Sequence, residues 1–442
     1  MYLSQRSDVP ETLKLWKRFV SVAIVRALLP GCCIAALQLV GSTPYAVAAS
    51  HAKSETKLLV GYQGWFRCPG DGSPSNAWSH WSRGAATADS ISVDLYPDIS
   101  EMNSQSLCPL PGMTIAGKQA YVFSSYPLAT TELHFAWMQH YGIDGALLQR
   151  FSNSIPPSVK EGDSVLKHVM TSAQDHNRVF AIEYDVSGCN PADIFNRLQT
   201  DWRYLTDDLG VTKRKEYLRL HGRPVVSIWG LGLNDGHHIV DPDLALKIIH
   251  WFKDEEHVSV MGGTPAGWAS LSDDSTTDER WRQVYASMDV VQPWTVGRYS
   301  SIPKADSWAR THLVPDMALV RKNHQLYMPV IFPGFSWHNL NRNDAENQIP
   351  RLGGRFLWAQ AYNARIAGVT LIKIAMFDEV NEGTAIMKAA STRSDAPDKG
   401  YWLTLDADGE RLPADWYLRV ASQISRLVHG SLKPVQDLPM AP

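Results

Sequence analysis

The stretch best equipped for acid–base chemistry is Phe377-Asp378-Glu379-Val380-Asn381-Glu382-Gly383-Thr384, which follows the largely apolar run Ile372–Met376. Three carboxylates fall within five residues. Like charges this close repel, so at least one is expected to titrate high and to hold a proton it can donate. Glu379 and Glu382 stand three apart where an extended chain becomes a loop, a spacing that can point both into one pocket. They form the candidate catalytic pair, with Asp378 as a neighbouring substrate contact. The competing reading is a solvated acidic loop. The placement directly after the last apolar strand, and the sharp turn that Gly383 permits, favour the pocket.

Other strand ends are polar or aromatic as well. Glu183 and Asp185 share one side of Ile182-Glu183-Tyr184-Asp185, and either suits a sugar hydroxyl. Capping a helix or pairing with an arginine is the alternative for them. Gln149-Arg150-Phe151 closes another apolar segment, and Arg150 is placed to pair with a carboxylate at the mouth. Trp229, Trp294 and Trp337-His338 follow further segments, and Tyr62, Gln63 and Trp65 follow the first. Aromatic rings, amides and carboxylates in this combination describe a carbohydrate cleft. The 16 tryptophans, some lying among polar residues as in 76–84, point the same way.

Other chemistries are poorly supported. No His-Glu-x-x-His occurs, and His134 and His140, six apart, do not share a helix face, so no metal is expected. No Gly-x-Ser-x-Gly marks a serine nucleophile. Neither a Gly-x-Gly-x-x-Gly nor a P-loop pattern is present, so no nucleotide cofactor is expected. With 42 Lys+Arg against 45 Asp+Glu, a basic nucleic-acid-binding chain is excluded.

The elements that must carry these residues read as alternating strands and helices. Strand-like segments recur at 58–62, 120–124, 143–148, 179–184, 224–229, 257–261, 288–292, 327–332 and 369–377. Several are continuously apolar, as parallel strands covered on both faces require. Helical stretches lie at 130–141, 162–176, 193–205, 242–255, 278–286 and 351–367. The pattern predicts an α/β fold, a (β/α)8 TIM barrel with long βα loops, in which chemistry sits at the strand C-termini. Nine candidates for eight positions means that one strand is peripheral or that 257 and 288 do not both belong. The loop 66–118, rich in Gly, Ser and Pro, is expected to overhang the mouth.

The N-terminus reads as a secretory signal over residues 1–48. Lys14, Lys17 and Arg18 precede an apolar stretch from Phe19 to Val40, and Ala46-Val47-Ala48 offers a cleavage site. Arg26 and Pro30 interrupt that stretch, which weakens a membrane anchor. Residues 49–442 are expected to form one domain, secreted or periplasmic and monomeric. Cys68, Cys108 and Cys189 remain after cleavage, and Cys68–Cys108 is the preferred disulfide.

The segment 377–384 resembles the last-strand motif of the family 99 glycoside hydrolases, the endo-α-mannosidases. The stretches 61–66 (GYQGWF), 141–151 (YGIDGALLQRF), 181–188 (AIEYDVSG), 222–229 (GRPVVSIW), 333–338 (PGFSWH) and 376–386 (MFDEVNEGTAI) resemble the wider family 71/99-like group. The resemblance implies a (β/α)8 barrel, a retaining mechanism and no metal. It would make Glu379 the base acting on a sugar 2-hydroxyl and Glu382 the general acid/base. Val380 and Asn381 replace the Trp-His pair of the mannosidase motif, which leaves the sugar open. The expected function is a secreted glycoside hydrolase acting on a glycan. A non-catalytic carbohydrate-binding protein is the alternative. A lyase or esterase-like barrel enzyme is the third class, and a lyase would need Arg150 or Lys373 in the cleft.

Overall fold

The computed structural model describes residues 56–155 and 159–442. The signal read at 1–48, with its cleavage site, lies outside the described residues. β1 (Lys57–Tyr62) is buried from Leu58 onward without alternation. It is followed by the hairpin β2 (Leu107–Ile115) and β3 (Lys118–Phe123), then by β4 (Gly145–Phe151), β5 (Val179–Asp185), β6 (Arg219–Leu220) and β7 (Arg223–Trp229). The remaining strands are β8 (Ser259–Thr264), β9 (Val290–Pro293), β10 (Leu326–Tyr327), β11 (Val330–Ile331) and β12 (Leu371–Ile374). The helices are α1 (Leu128–His140), α2 (Val159–Asp175), α3 (Ile194–Arg203), α4 (Pro242–His250) and α5 (Trp281–Ser287), then α6 (Ile302–Trp308), α7 (Val314–Lys322), α8 (Arg355–Ile366) and α9 (Trp416–Val428).

Nine strands form one sheet in the order β10-β9-β8-β7-β5-β4-β1-β12-β11, every pair parallel, and β6 adds antiparallel to β7. The expectation of a closed (β/α)8 TIM barrel is therefore corrected. The sheet is an open, strongly curled half-barrel whose end strands, β10 and β11, are two residues long and share no ladder bond. The cause is local. The apolar run 327–332 reads as one strand, but Met328-Pro329 divides it. Pro329 has no N–H to give to a ladder. The two halves pair with different neighbours, β10 with β9 and β11 with β12.

The surplus strand candidate, 120–124, is β3. It pairs with β2 in a separate hairpin. α6 and α7 were not expected from the sequence. Each opens with a proline, Pro303 and Pro315, which reads as a break but is tolerated in a first turn. α9 follows the last strand, as strand–helix alternation requires, but 416–428 was not among the helical stretches expected from the sequence.

What crosses the interior of the curl is polar. Glu183 of β5 accepts from Ser227 Oγ of β7 (2.9 Å), from Gln292 Nε2 of β9 (2.9 Å) and from Lys373 Nζ of β12 (2.6 and 2.8 Å). The Lys373 and Glu183 side chains are both 0% exposed. Four strands scattered along the sheet thus converge on one carboxylate.

The loop 66–118 lies over the strand C-termini, as expected. Leu95 and Asp98 donate backbone N–H groups to Val380 and Lys388 (3.0 Å each), and Tyr96 donates to Leu403 (3.0 Å). Cys68 and Cys108 are disulfide-bonded, with Cα atoms 6.1 Å apart across 40 residues. Closing a loop of that length restricts the unfolded chain by up to about 4 kcal/mol in the chain-entropy account. Cys189 is the free cysteine among the described residues.

Lys373→Met removes the cation and leaves Glu183 buried alone, which costs about 3–5 kcal/mol when one partner of a buried pair is lost. Urea unfolding should show that loss, and Lys373→Met combined with Glu183→Leu should recover most of it. An unchanged midpoint in the single variant means that the pair does not hold the curl.

Candidate active site

The acidic segment leaves β12 and is clamped at both ends. Phe377 donates its N–H to Gly61 O of β1 (2.8 Å), and Ala385 donates to Glu379 O (3.0 Å). The Asp378 carboxylate accepts the N–H groups of Gln63 and Gly64, both at 2.8 Å. Arg351 donates to Gly383 O (2.9 Å) and Ala385 O (2.8 Å), with its guanidinium 3.8 Å from the Tyr417 ring centroid. Ser336 N–H donates to Glu382 O (2.8 Å). Gly383 has φ +63°, and a Cβ there would lie 3.1 Å from Ser336 N, so the turn that presents Glu382 suits glycine.

Glu379 and Glu382 are brought close enough to titrate as a pair. Burial raises Glu379 well above the usual carboxylate range. The Glu382 charge raises it further, and the bond from Gln63 Nε2 (2.5 Å) opposes the rise. Burial pushes Glu382 up to about 7. No protein group hydrogen-bonds the Glu382 carboxyl among the described residues, and it is half-buried, so one member of the pair stays accessible. Burial raises Asp378 to about 6 against its two N–H bonds. Asp185 is also raised by burial, with the Glu183 charge adding to it, and its own charge acts on Glu379. Four acidic groups therefore share one poorly solvated mouth, and proton donation there is favoured near neutral pH.

A cavity of about 220 Å³ opens beside Gln63, bordered by Trp65, Arg67, His80, Gln149 and Phe151. Gln63 Oε1, Gln149 Oε1, Trp65 Nε1 and Arg67 Nε are buried there without a protein partner among the described residues. A buried polar group left unmade costs about 1–3 kcal/mol. These unpaired groups belong to residues that line the cavity. A larger groove, about 630 Å³, lies between α6–α8 and residues 436–442 and contains none of these carboxylates.

The structure separates the other predicted site residues into those at the mouth and those engaged elsewhere. Trp229 and Trp294 meet edge to face at 5.3 Å, half-buried, with Lys373 Nζ 5.7 Å from the Trp294 ring centroid. They stand with Asp185 and Gln149 at the mouth. Trp65 borders the cavity by its edge only. Its faces are covered by His80 (3.8 Å) and Phe151 (5.2 Å), so it is no stacking platform. Tyr62 is fully buried against α1, its hydroxyl 2.9 Å from His134 Nδ1. Arg150 borders the same cavity, but its guanidinium forks onto Asp201 of α3 (2.5 and 2.6 Å) and Asp163 of α2 (2.9 Å). Glu183 is committed to Lys373, and Asp378 to backbone N–H groups.

Trp337 donates Nε1–H to Asp344 (2.9 Å), and His338 bonds Asp344 O through Nδ1 (2.7 Å). Both sit on the loop whose Ser336 supports Glu382. Sequence reasoning missed Arg67, Arg351 and Asp94. Asp94 is wholly buried and receives Ser336 Oγ–H (2.5 Å) and the N–H groups of His338 (2.8 Å) and Asn339 (2.7 Å). None of the three lies in a motif. Arg351 and Asp94 act on backbone atoms far away in sequence, whereas Arg67 donates to the nearby carbonyls of Gly64 and Phe66.

The chain's fold is similar to that of the family 99 endo-α-mannosidase from Bacteroides thetaiotaomicron. The TM-score is 0.63 at 15% identity, over 85% of this chain and 98% of that one. The complex of that enzyme with bis-tris-propane gives 0.60 at 16%, over 85% and 97%. A glycoside hydrolase-like protein gives 0.51 at 16%, over 77% and 98%. The likeness is one of fold. No protein-family model matches the sequence, and no curated protein matches it.

The raised carboxyls make folding stability depend on pH. A glutamate titrates near 4.3 in the unfolded chain, whereas Glu382 titrates at about 7 when folded. Between these values folded Glu382 binds more proton than unfolded, so its contribution to stability falls as pH rises and is lost above about 7. Glu382→Gln should flatten this slope by at most about 3 kcal/mol. Thermal unfolding at pH 5 and pH 8 measures it, and an equal drop in variant and wild type contradicts a raised Glu382.

Proposed function

We propose that the protein is a glycoside hydrolase that cleaves O-glycosidic bonds in oligo- or polysaccharides with retention. The observation that carries this reading is the Glu379–Glu382 pair, one member buried and the other half-buried, beside a cavity lined by residues with unpartnered polar atoms. The fold likeness to an endo-α-mannosidase supports it. Glu382, raised to about 7 by burial, matches the acidity wanted of a general acid at neutral pH. It would protonate the leaving oxygen and later accept a proton from water. With the pair's proton on Glu382, Glu379 would be ionised, a form that the Gln63 Nε2–H bond favours, and would act as base on a sugar 2-hydroxyl or attack the anomeric carbon directly. Trp229 and Trp294 would face the apolar side of a sugar ring, and the amides of Gln63 and Gln149 would meet its hydroxyls.

Turnover of α- and β-linked glycans, α-mannosides first, with product analysis, tests the activity. Glu382→Gln should lower kcat about 10²–10⁴-fold on natural glycans and much less on substrates with activated leaving groups. Glu379→Gln should slow both, with binding little changed. Near-full activity in either variant removes that residue from the chemistry, and glycan binding without turnover in the wild type leaves a binding protein.

We further propose export to an oxidising compartment, secreted or periplasmic. The Cys68–Cys108 disulfide supports it, together with the leader-like residues 1–48. N-terminal sequencing of the protein from its native compartment should begin near Ala49, just after Ala48. An intact Met1 in a membrane fraction contradicts cleavage.

A further inference from the structure

Beside the carboxylate mouth, the loops after β5 and β7 bring together a serine, a histidine and an aspartate. Ser187 Oγ lies 2.9 Å from His238 Nε2. His238 Nδ1 lies 2.8 Å from both oxygens of Asp235. An ionised aspartate only accepts, so Nδ1 carries the proton and Nε2 is left to accept from Ser187. This is the relation of nucleophile, base and orienting acid that activates a serine, and it is recognised by geometry, not by sequence position.

The arrangement is built, not incidental to one contact. Gly188 donates its N–H to His237 O (2.8 Å), which ties the two loops together. Gly230 has φ +104°, and a Cβ there would lie 2.5 Å from His238 Cδ2, so only a glycine leaves room for the ring. The imidazole also rests edge to face on Trp229 at 5.0 Å. Ser187 is half-buried and so keeps some access to solvent.

We propose that Ser187, His238 and Asp235 form a second catalytic centre, a serine esterase acting on small O-acyl esters of carbohydrates. Ser187 Oγ bonds to the acyl carbon while its proton passes to His238 Nε2. The acyl carbon–oxygen bond to the sugar breaks, and the leaving oxygen takes that proton. Water then attacks the acyl-serine by the same route and releases the carboxylic acid. Ester and water become acid and alcohol, with no other reactant. Ser187 N–H is bound to Asp185 Oδ1 (2.8 Å) and is not an oxyanion donor. The Asn153 amide is the donor group bordering the turn, with Nδ2 3.8 Å from the Cβ position of Gly188. Asp185 stands on the other side of Ser187, and burial favours its protonated form, which weakens it as a rival acceptor. Trp229 supplies the sugar-facing surface next to His238. The centre needs neither Glu379 nor Glu382, so it stands apart from the glycosidase reading.

A fluorophosphonate probe applied to the full-length protein, followed by peptide mapping, tests this. The expected result is one adduct, on Ser187, absent from heat-denatured protein. Labelling should slow at least 100-fold in His238→Gln, and Ser187→Ala should lose 4-nitrophenyl acetate hydrolysis. Because the wild type alone reports the adduct, a variant that fails to fold does not decide the outcome. No adduct on Ser187, or unchanged labelling in a folded His238→Gln, overturns the proposal.

Discussion

Burying a charge inside a protein costs several kcal/mol unless a partner and further hydrogen bonds answer it. Lys373 and Glu183 meet that condition inside the curled sheet, fully removed from solvent, with Ser227 and Gln292 completing the carboxylate. The pair can exist only if β5 and β12 face one another across the interior, so the curl and the ion pair require each other. It also forms the floor of the mouth. The Trp294 ring lies above Lys373, and the acidic segment begins four residues beyond it, at Phe377.

On that floor the structure gathers acidic groups with few cations beside them. Asp185, Asp378, Glu379 and Glu382 are all raised by burial. Holding such groups close is unfavourable, and the surrounding loops must compensate. They do so through backbone contacts. Asp378 is stapled by the turn that follows β1, and Gly383 and Ala385 are held by Arg351. The Ser336 turn that supports Glu382 is fixed by Asp94 from the 66–118 loop. The disulfide constrains that loop in turn. The mouth is rigid because each of its walls is tied to an element distant in sequence.

A similar economy governs the Ser187 loop. Its serine lies in no Gly-x-Ser-x-Gly, so no local motif marks it. Its partners come from two strand ends that adjoin in the sheet, β5 and β7. Adjacent parallel strands deliver their following loops side by side, so groups 51 residues apart meet at 2.9 Å.

The sequence by itself determined the parallel α/β rhythm, the carboxylate segment after the last strand and the Cys68–Cys108 pairing. Each depends on local pattern: continuous apolar runs for doubly covered strands, spacing within one loop, and two cysteines in one long loop. Closure of the sheet was decided by tertiary structure, because a two-residue break at Met328-Pro329 redirects hydrogen bonds without altering hydropathy. The fate of individual side chains was decided there too. Arg150 and Glu183 sit one position apart on neighbouring strands and read alike as mouth residues. Alternation along a strand sends one outward to Asp201 and the other inward to Lys373. Tyr62 and Trp65 read as sugar contacts because aromatics at strand ends often are. The ring that meets a ligand is the one whose face no other side chain has taken, and only the packed neighbours settle that.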